Sequence, residues 1–105
     1  MTACIQVTTT TANEEDAKRL GRAMVEKRLA ACAQVLGPIS SSYWWQSKLE
    51  EATEWLCVLK TRQALFELLE KEIRRVHPYE VPEIVAVPIA EGSRDYLEWI
   101  RKEVS

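Results

Sequence analysis

One short segment concentrates side chains able to do chemistry. His77-Pro78-Tyr79-Glu80-Val81-Pro82-Glu83 brings an imidazole, a phenol and two carboxylates into seven consecutive positions. Two prolines stiffen it by fixing φ. A preorganised loop of this kind can bind a polar ligand or an ion. One imidazole with carboxylates suits a borderline divalent ion such as Cu(II) or Zn(II). The plainer reading is a hydrogen-bonded histidine closing a helix, with Pro-Tyr packing beside it.

Other catalytic patterns are absent. The 105 residues contain no GxxxxGK, GxGxxG, GxSxG or HExxH. His77 is the only histidine, so no triad can be built without it. Cys4, Cys32 and Cys57 are odd in number, form no CxxC pair and fall in strand-like stretches. They read as small buried hydrophobes in a reducing cytoplasm, without disulfides. A phosphoryl transfer through His77 would lack a phosphate cradle, so the chain reads as a non-enzyme.

The elements that must position the loop follow from periodicity. Residues 3–9 are β-branched and predict a strand. Asn13 followed by Glu14, Glu15 and Asp16 marks a helix start; the helix is expected over 14–29, with Gly21 inside it at a close packing contact. Residues 29–45 predict one long strand, bent or bulged at Gly37-Pro38. Gln46-Ser47-Lys48 turns the chain into a second long strand, 50–61, making a hairpin. Thr61 is expected to cap a second helix whose stripe holds Leu65, Leu68, Leu69, Glu72, Ile73 and Val76. Glu67 with Lys71, and Glu70 with Arg74, have the spacing of helical ion pairs. Pro78 ends that helix. Residues 82–90 predict a last strand, and Ser93 caps a third helix. The order β-α-β-β-α-β plus a C-terminal helix is an α+β, ferredoxin-like split β-α-β antiparallel sheet with a long hairpin, one domain over 1–105.

Composition bounds the partners. The formal net charge is −2, from 14 basic and 16 acidic residues. This gives neither the basic face of a nucleic-acid binder nor a polybasic membrane surface. The longest apolar run, Ile84 to Ala90, is far short of the ~20 residues of a membrane span. No basic n-region or long apolar segment opens the sequence, so a secretory leader is not expected. The sheet, however, alternates without becoming amphipathic. Trp55, Cys57 and Leu59 oppose Leu56 and Val58; Ile84 and Ala86 oppose Val85, Val87 and Ile89. Two main helices can cover one face only, so the second face predicts a homo-oligomer. Tyr43-Trp44-Trp45 on the hairpin read as interface residues.

Leu29-Ala30-Ala31-Cys32-Ala33, Tyr43-Trp44-Trp45-Gln46, Glu54, Leu59-Lys60-Thr61, the whole of His77 to Glu83, Pro88, Gly92 and Tyr96-Leu97-Glu98-Trp99 together resemble the CutA divalent-cation tolerance family, over nearly the whole chain and in order. The resemblance implies a cytoplasmic homotrimer, similar in architecture to PII signalling trimers, acting in tolerance or response to divalent metal ions. In the family, copper binding is placed on a first-strand Cys and two adjacent His before the Pro-Tyr pair. Those positions carry Thr9, Val76 and His77 here, so only His77 keeps a metal ligand and weak Cu(II) binding is the expectation. Ser47 also stands where a hairpin Gly is expected. Two alternatives remain open: a PII-like small-molecule trimer with Lys60, Glu54, Tyr79, Glu80 and Trp45 lining an intersubunit cleft, and a ligand-free scaffold.

Overall fold

β-Branched residues open the fold as strand β1, Cys4–Thr11. Asn13 then caps helix α1, Glu14–Glu26, its side chain accepting a 2.8 Å hydrogen bond from the Asp16 amide while three acids occupy the first turn. The computed structural model describes residues 3–105; the first two residues of the predicted domain lie outside the described residues. Helix α1 stops earlier than the expected residue 29. Arg28 enters the left-handed region (φ 61°), and the amides of Arg28 and Leu29 turn back to the carbonyls of Val25 and Met24 at 3.0 Å. This is a Schellman closure, formed without the usual glycine.

Strands β2, Cys32–Trp45, and β3, Lys48–Arg62, form the long hairpin. Gln46 and Ser47 both have positive φ (50° and 67°), as a two-residue primed turn requires. The predicted bulge lies between Leu36 and Ile39, around a cis Gly37-Pro38 bond. A Cβ on Gly37 would lie 2.4 Å from the Trp55 ring, which explains the glycine.

Thr61 does not cap a helix: it is a fully buried β3 residue, and a 3-10 turn, Gln63–Leu65, leads into helix α2, Phe66–Val76. The β3–β1 pairing runs on to Arg62, which keeps Thr61 extended. The stripe of α2 is also narrower than predicted. Leu65, Leu69 and Ile73, at i, i+4 and i+8, are buried, whereas Leu68 and Val76 are exposed. Of its predicted ion pairs, Glu70–Arg74 forms at 3.5 Å. Strand β4 is only Val85–Pro88, shorter than 82–90, because β1 offers it just the register from Ile5 to Thr8. Helix α3 is Arg94–Glu103; Ser93 occupies its N-cap position but makes no side-chain cap bond.

The sheet order is β2-β3-β1-β4, antiparallel throughout. Helices α1 and α2 cover the face carrying Val7, Cys57 and Leu59, and Met24, Leu69 and Ile73 complete that core. Gly21 is the close approach anticipated: its Cβ would sit 2.8 Å from Ala33 Cβ and 3.1 Å from Cys57 Sγ. Helix α3 reaches one end of the opposite face, where Cys4 Sγ lies 3.8 Å from the Leu97 carbonyl and Lys60 stands over the Tyr96 ring. Part of that face stays open, with Leu36, Val85 and Val87 about half exposed, whereas Val58 and Thr10 on the same face are buried. Among the described residues, no helix is long and apolar enough to cross a membrane.

Candidate ligand cleft

The cleft forms where the loop after α2 folds over the outer part of the hairpin. Pro78 ends α2 at Val76, and His77 turns extended (φ −76°, ψ 132°), which brings its ring inward. His77 is 8 % exposed, so both ring nitrogens need partners. They have them. The Tyr79 amide donates to Nδ1 at 3.1 Å, so Nδ1 carries no proton. The proton therefore sits on Nε2, which donates to the Thr10 carbonyl at 2.8 Å. The histidine is a pin between the loop and β1.

That pin sets the next residue. The Tyr79 ring lies 4.8 Å from the imidazole, centroid to centroid, and its hydroxyl donates to Glu54 Oε2 at 2.9 Å. Burial, and then the Glu54 hydrogen bond, hold the phenol well above its usual range. Glu54 is 7 % exposed, an unusual position for a carboxylate. It sits just beyond the bulge, paired with Ile39. By strand alternation Tyr43 and Trp45 share its face. Between them and the loop is a cavity of about 730 Å³, lined by Glu54, Tyr79, Glu80 and Glu83, by Tyr43 and Trp45, and by the hydroxyl-bearing stretch Ser40–Ser42. That volume lies within the range of small-molecule pockets.

Of the residues singled out from the sequence, Glu54, Tyr79, Glu80 and Trp45 meet here. Lys60 does not. It lies six positions along β3 from Glu54, about 20 Å at strand rise, where its ammonium donates to Gln34 Oε1 at 2.7 Å and faces Tyr96. Its pairing with Cys32 and Gln6 puts it at the α3 end of the sheet. Sequence reasoning missed Thr10, whose carbonyl holds His77, and gave Tyr43 only an interface role. The register of the hairpin would have found Tyr43, had the bulge been placed to the residue.

His77 does not fit a copper centre. Both its nitrogens are committed to backbone groups. Thr9 is fully buried with its hydroxyl unpartnered, and Val76 offers no donor atom. Among the described residues no three His, Cys, Asp or Glu side chains come together as a metal set. The cysteines are free, and burial pushes the Cys57 thiol up to about 11, so it is not a ready thiolate.

The model of the CutA1 divalent ion tolerance protein family matches residues 5–103. The divalent-cation tolerance protein CutA of Thermus thermophilus is 45% identical over 93 residues, 89% of this chain and 90% of that protein. Human Protein CutA is 47% identical over 90 residues, 86% of this chain; the chain spans only half that protein's length (50%). Among solved structures, CutA1 from Oryza sativa superposes with a TM-score of 0.95 at 36% identity, covering 99% of this chain and 95% of that one. The Thermus thermophilus protein gives 0.94 at 42% identity, covering 97% and 99%.

Proposed function

Since the chain belongs to the CutA1 divalent ion tolerance family, we propose that it serves divalent-ion tolerance as a non-enzymatic homotrimer whose responsive element is the Glu54–Tyr79 cleft rather than a copper ion on His77. The observation that carries the assembly is the open sheet face. Leu36, Val85 and Val87 are half exposed there, while α3 covers one end and the loop after α2 the region of Thr10 and Glu54. An apolar surface of this kind is characteristic of an interface between copies of a chain. The outer hairpin, with Trp44 73 % exposed, supports the same reading. Three unpaired thiols support residence in a reducing cytoplasm.

The role of His77 is positional. Protonation or metallation of Nδ1 would remove the acceptor for the Tyr79 amide and release the loop that forms one wall of the cleft. Native mass spectrometry across a Cu(II) titration tests both parts. The expected result is an ion at three times the 12.1 kDa chain mass, with the same copper uptake in the parent and in His77→Ala. A monomer sinks the assembly. One tightly held copper per chain that His77→Ala abolishes sinks the positional role.

A further inference from the structure

The cleft's chemistry specifies a ligand class, an inference that rests on reading the cleft as the responsive element. Three carboxylates line it, those of Glu54, Glu80 and Glu83, and no lysine or arginine does. Among the described residues, no ion pair engages any of the three. Glu54 is the telling member. It is more than nine-tenths buried, and its one hydrogen bond is the Tyr79 hydroxyl on Oε2. The chain supplies this carboxylate with one neutral donor and no counter-ion, so a cation entering the cleft would find an uncompensated charge partner there.

The cation that this lining fits is not a bare metal ion. A metal needs several donors converging at about 2 Å, and the carboxylates here do not assemble such a set. They are instead spread around about 730 Å³, with the aromatic residues Tyr43, Trp45 and Tyr79 between them. Separated carboxylates fit separated ammonium groups. Aromatic rings fit the methylene stem joining those groups, and they attract an ammonium placed over a ring face. We infer that the cleft binds a linear alkyl diamine or polyamine, one ammonium seated on Glu54 beside Tyr79 and a second reaching Glu80 and Glu83, with the hydrocarbon stem against Trp45 and Tyr43. Thr10 and Ser40–Ser42 supply further oxygen acceptors at the wall.

Isothermal titration calorimetry of the intact protein with spermidine, at low ionic strength, tests this. Saturable binding at one site per chain is expected. Glu54→Gln should weaken it at least tenfold while keeping an oxygen for the Tyr79 hydroxyl. Glu80→Gln, at an exposed loop position, and Trp45→Leu should each weaken it several-fold, and they carry the test if Glu54→Gln fails to fold. Equimolar Mg²⁺ should not displace spermidine. Absence of saturable heat overturns the inference, as does unchanged affinity in the folded variants or equal displacement by Mg²⁺, the mark of a merely acidic surface. The same samples run by native mass spectrometry separate the two claims. A trimer without spermidine binding overturns the ligand class and leaves the assembly standing. Spermidine binding by a chain whose His77 also holds copper keeps the ligand class and overturns the reading of His77.

Discussion

Strand β3 belongs to two different environments. Its C-terminal part, from Glu54 to Thr61, lies in the centre of the sheet, and Cys57, Leu59 and Thr61 are fully buried there. Its N-terminal part, from Lys48 to Thr53, pairs residue for residue with Trp45 back to Ser40 and buries no side chain fully. The hydrogen-bond ladder runs through both parts, interrupted only at the bulge. What differs is the apolar area removed from water, the main source of folding free energy. The inner part stabilises the chain by itself. The outer part is a preformed surface whose burial must come from outside the chain, and Glu54 marks the border between the two.

The sharpest test of this division is in the inner part. Leu59→Ala removes a fully buried side chain packed among Val7, Met24 and Ile73. The expected loss is about 2–5 kcal/mol, by lost transfer free energy plus the cavity left behind. Chemical denaturation with an unchanged m-value would show it. A loss no larger than for an outer-hairpin residue would break the division.

The next effect comes from the tightest helix–sheet contact. Ala in place of Gly21 gains about 1 kcal/mol of helix propensity. Its Cβ, however, would lie 2.8 Å from Ala33 Cβ, an atom fixed to the β2 backbone and unable to swing away. Overpacking of this kind costs about 1–3 kcal/mol, so net destabilisation is expected. A higher melting temperature in Gly21→Ala would mean that α1 and β2 can part at little cost.

This contact was readable in advance, because a glycine inside a well-capped helix needs a packing reason. The element order, the bulge and the two-sided apolar sheet were also readable, since each rests on local chemistry or on period-two alternation. The extent of strand at Thr61 was not. A threonine before a helical stripe reads as a cap, and only the pairing partner Ile5 on β1 shows that the strand continues. The tautomer of His77 depends on Thr10, which is 67 positions away in sequence, and no short motif encodes that.

Border residues should show intermediate effects that depend on pH. Tyr79→Phe leaves the buried Glu54 without its donor, at a cost of about 1 kcal/mol. Alkali should act in the same direction on the parent protein. The Cys57 thiol, at about 11 in the fold, stands above the ordinary thiol near ~8.5, and the Tyr79 phenol is raised too. Each group therefore holds its proton more tightly folded than unfolded. Below pH ~8.5 both groups are protonated folded and unfolded and their contribution to stability is fully present; it is lost as pH rises from there toward 11, because the unfolded chain gives up these protons first. Urea midpoints at pH 8 and pH 10.5 check this, with the higher pH expected to give the lower midpoint. Cys57→Ala should flatten part of the slope, and a midpoint that rose with pH would contradict the burial of both groups.

The smallest effect on chain stability should come from the outer hairpin itself. Trp44 is 73 % exposed; strand alternation sets it opposite to Tyr43, Trp45 and Glu54, although it too borders the cavity. Within a single chain Trp44→Ser removes little buried area, so a change under about 0.5 kcal/mol is expected in the unfolding of the isolated chain. If copies of the chain cover the hairpin, the same substitution should weaken association instead, because a buried tryptophan is among the strongest interface contributors. Sedimentation velocity over a dilution series separates the two quantities. Dissociation at higher protein concentration than the parent, with an unchanged urea midpoint in the dissociated range, is the outcome that places the hairpin's stabilisation outside its own chain. Loss of chain stability without any change in association would show that Trp44 packs on its own fold, and the contrast between the two ends of β3 would then be one of degree only.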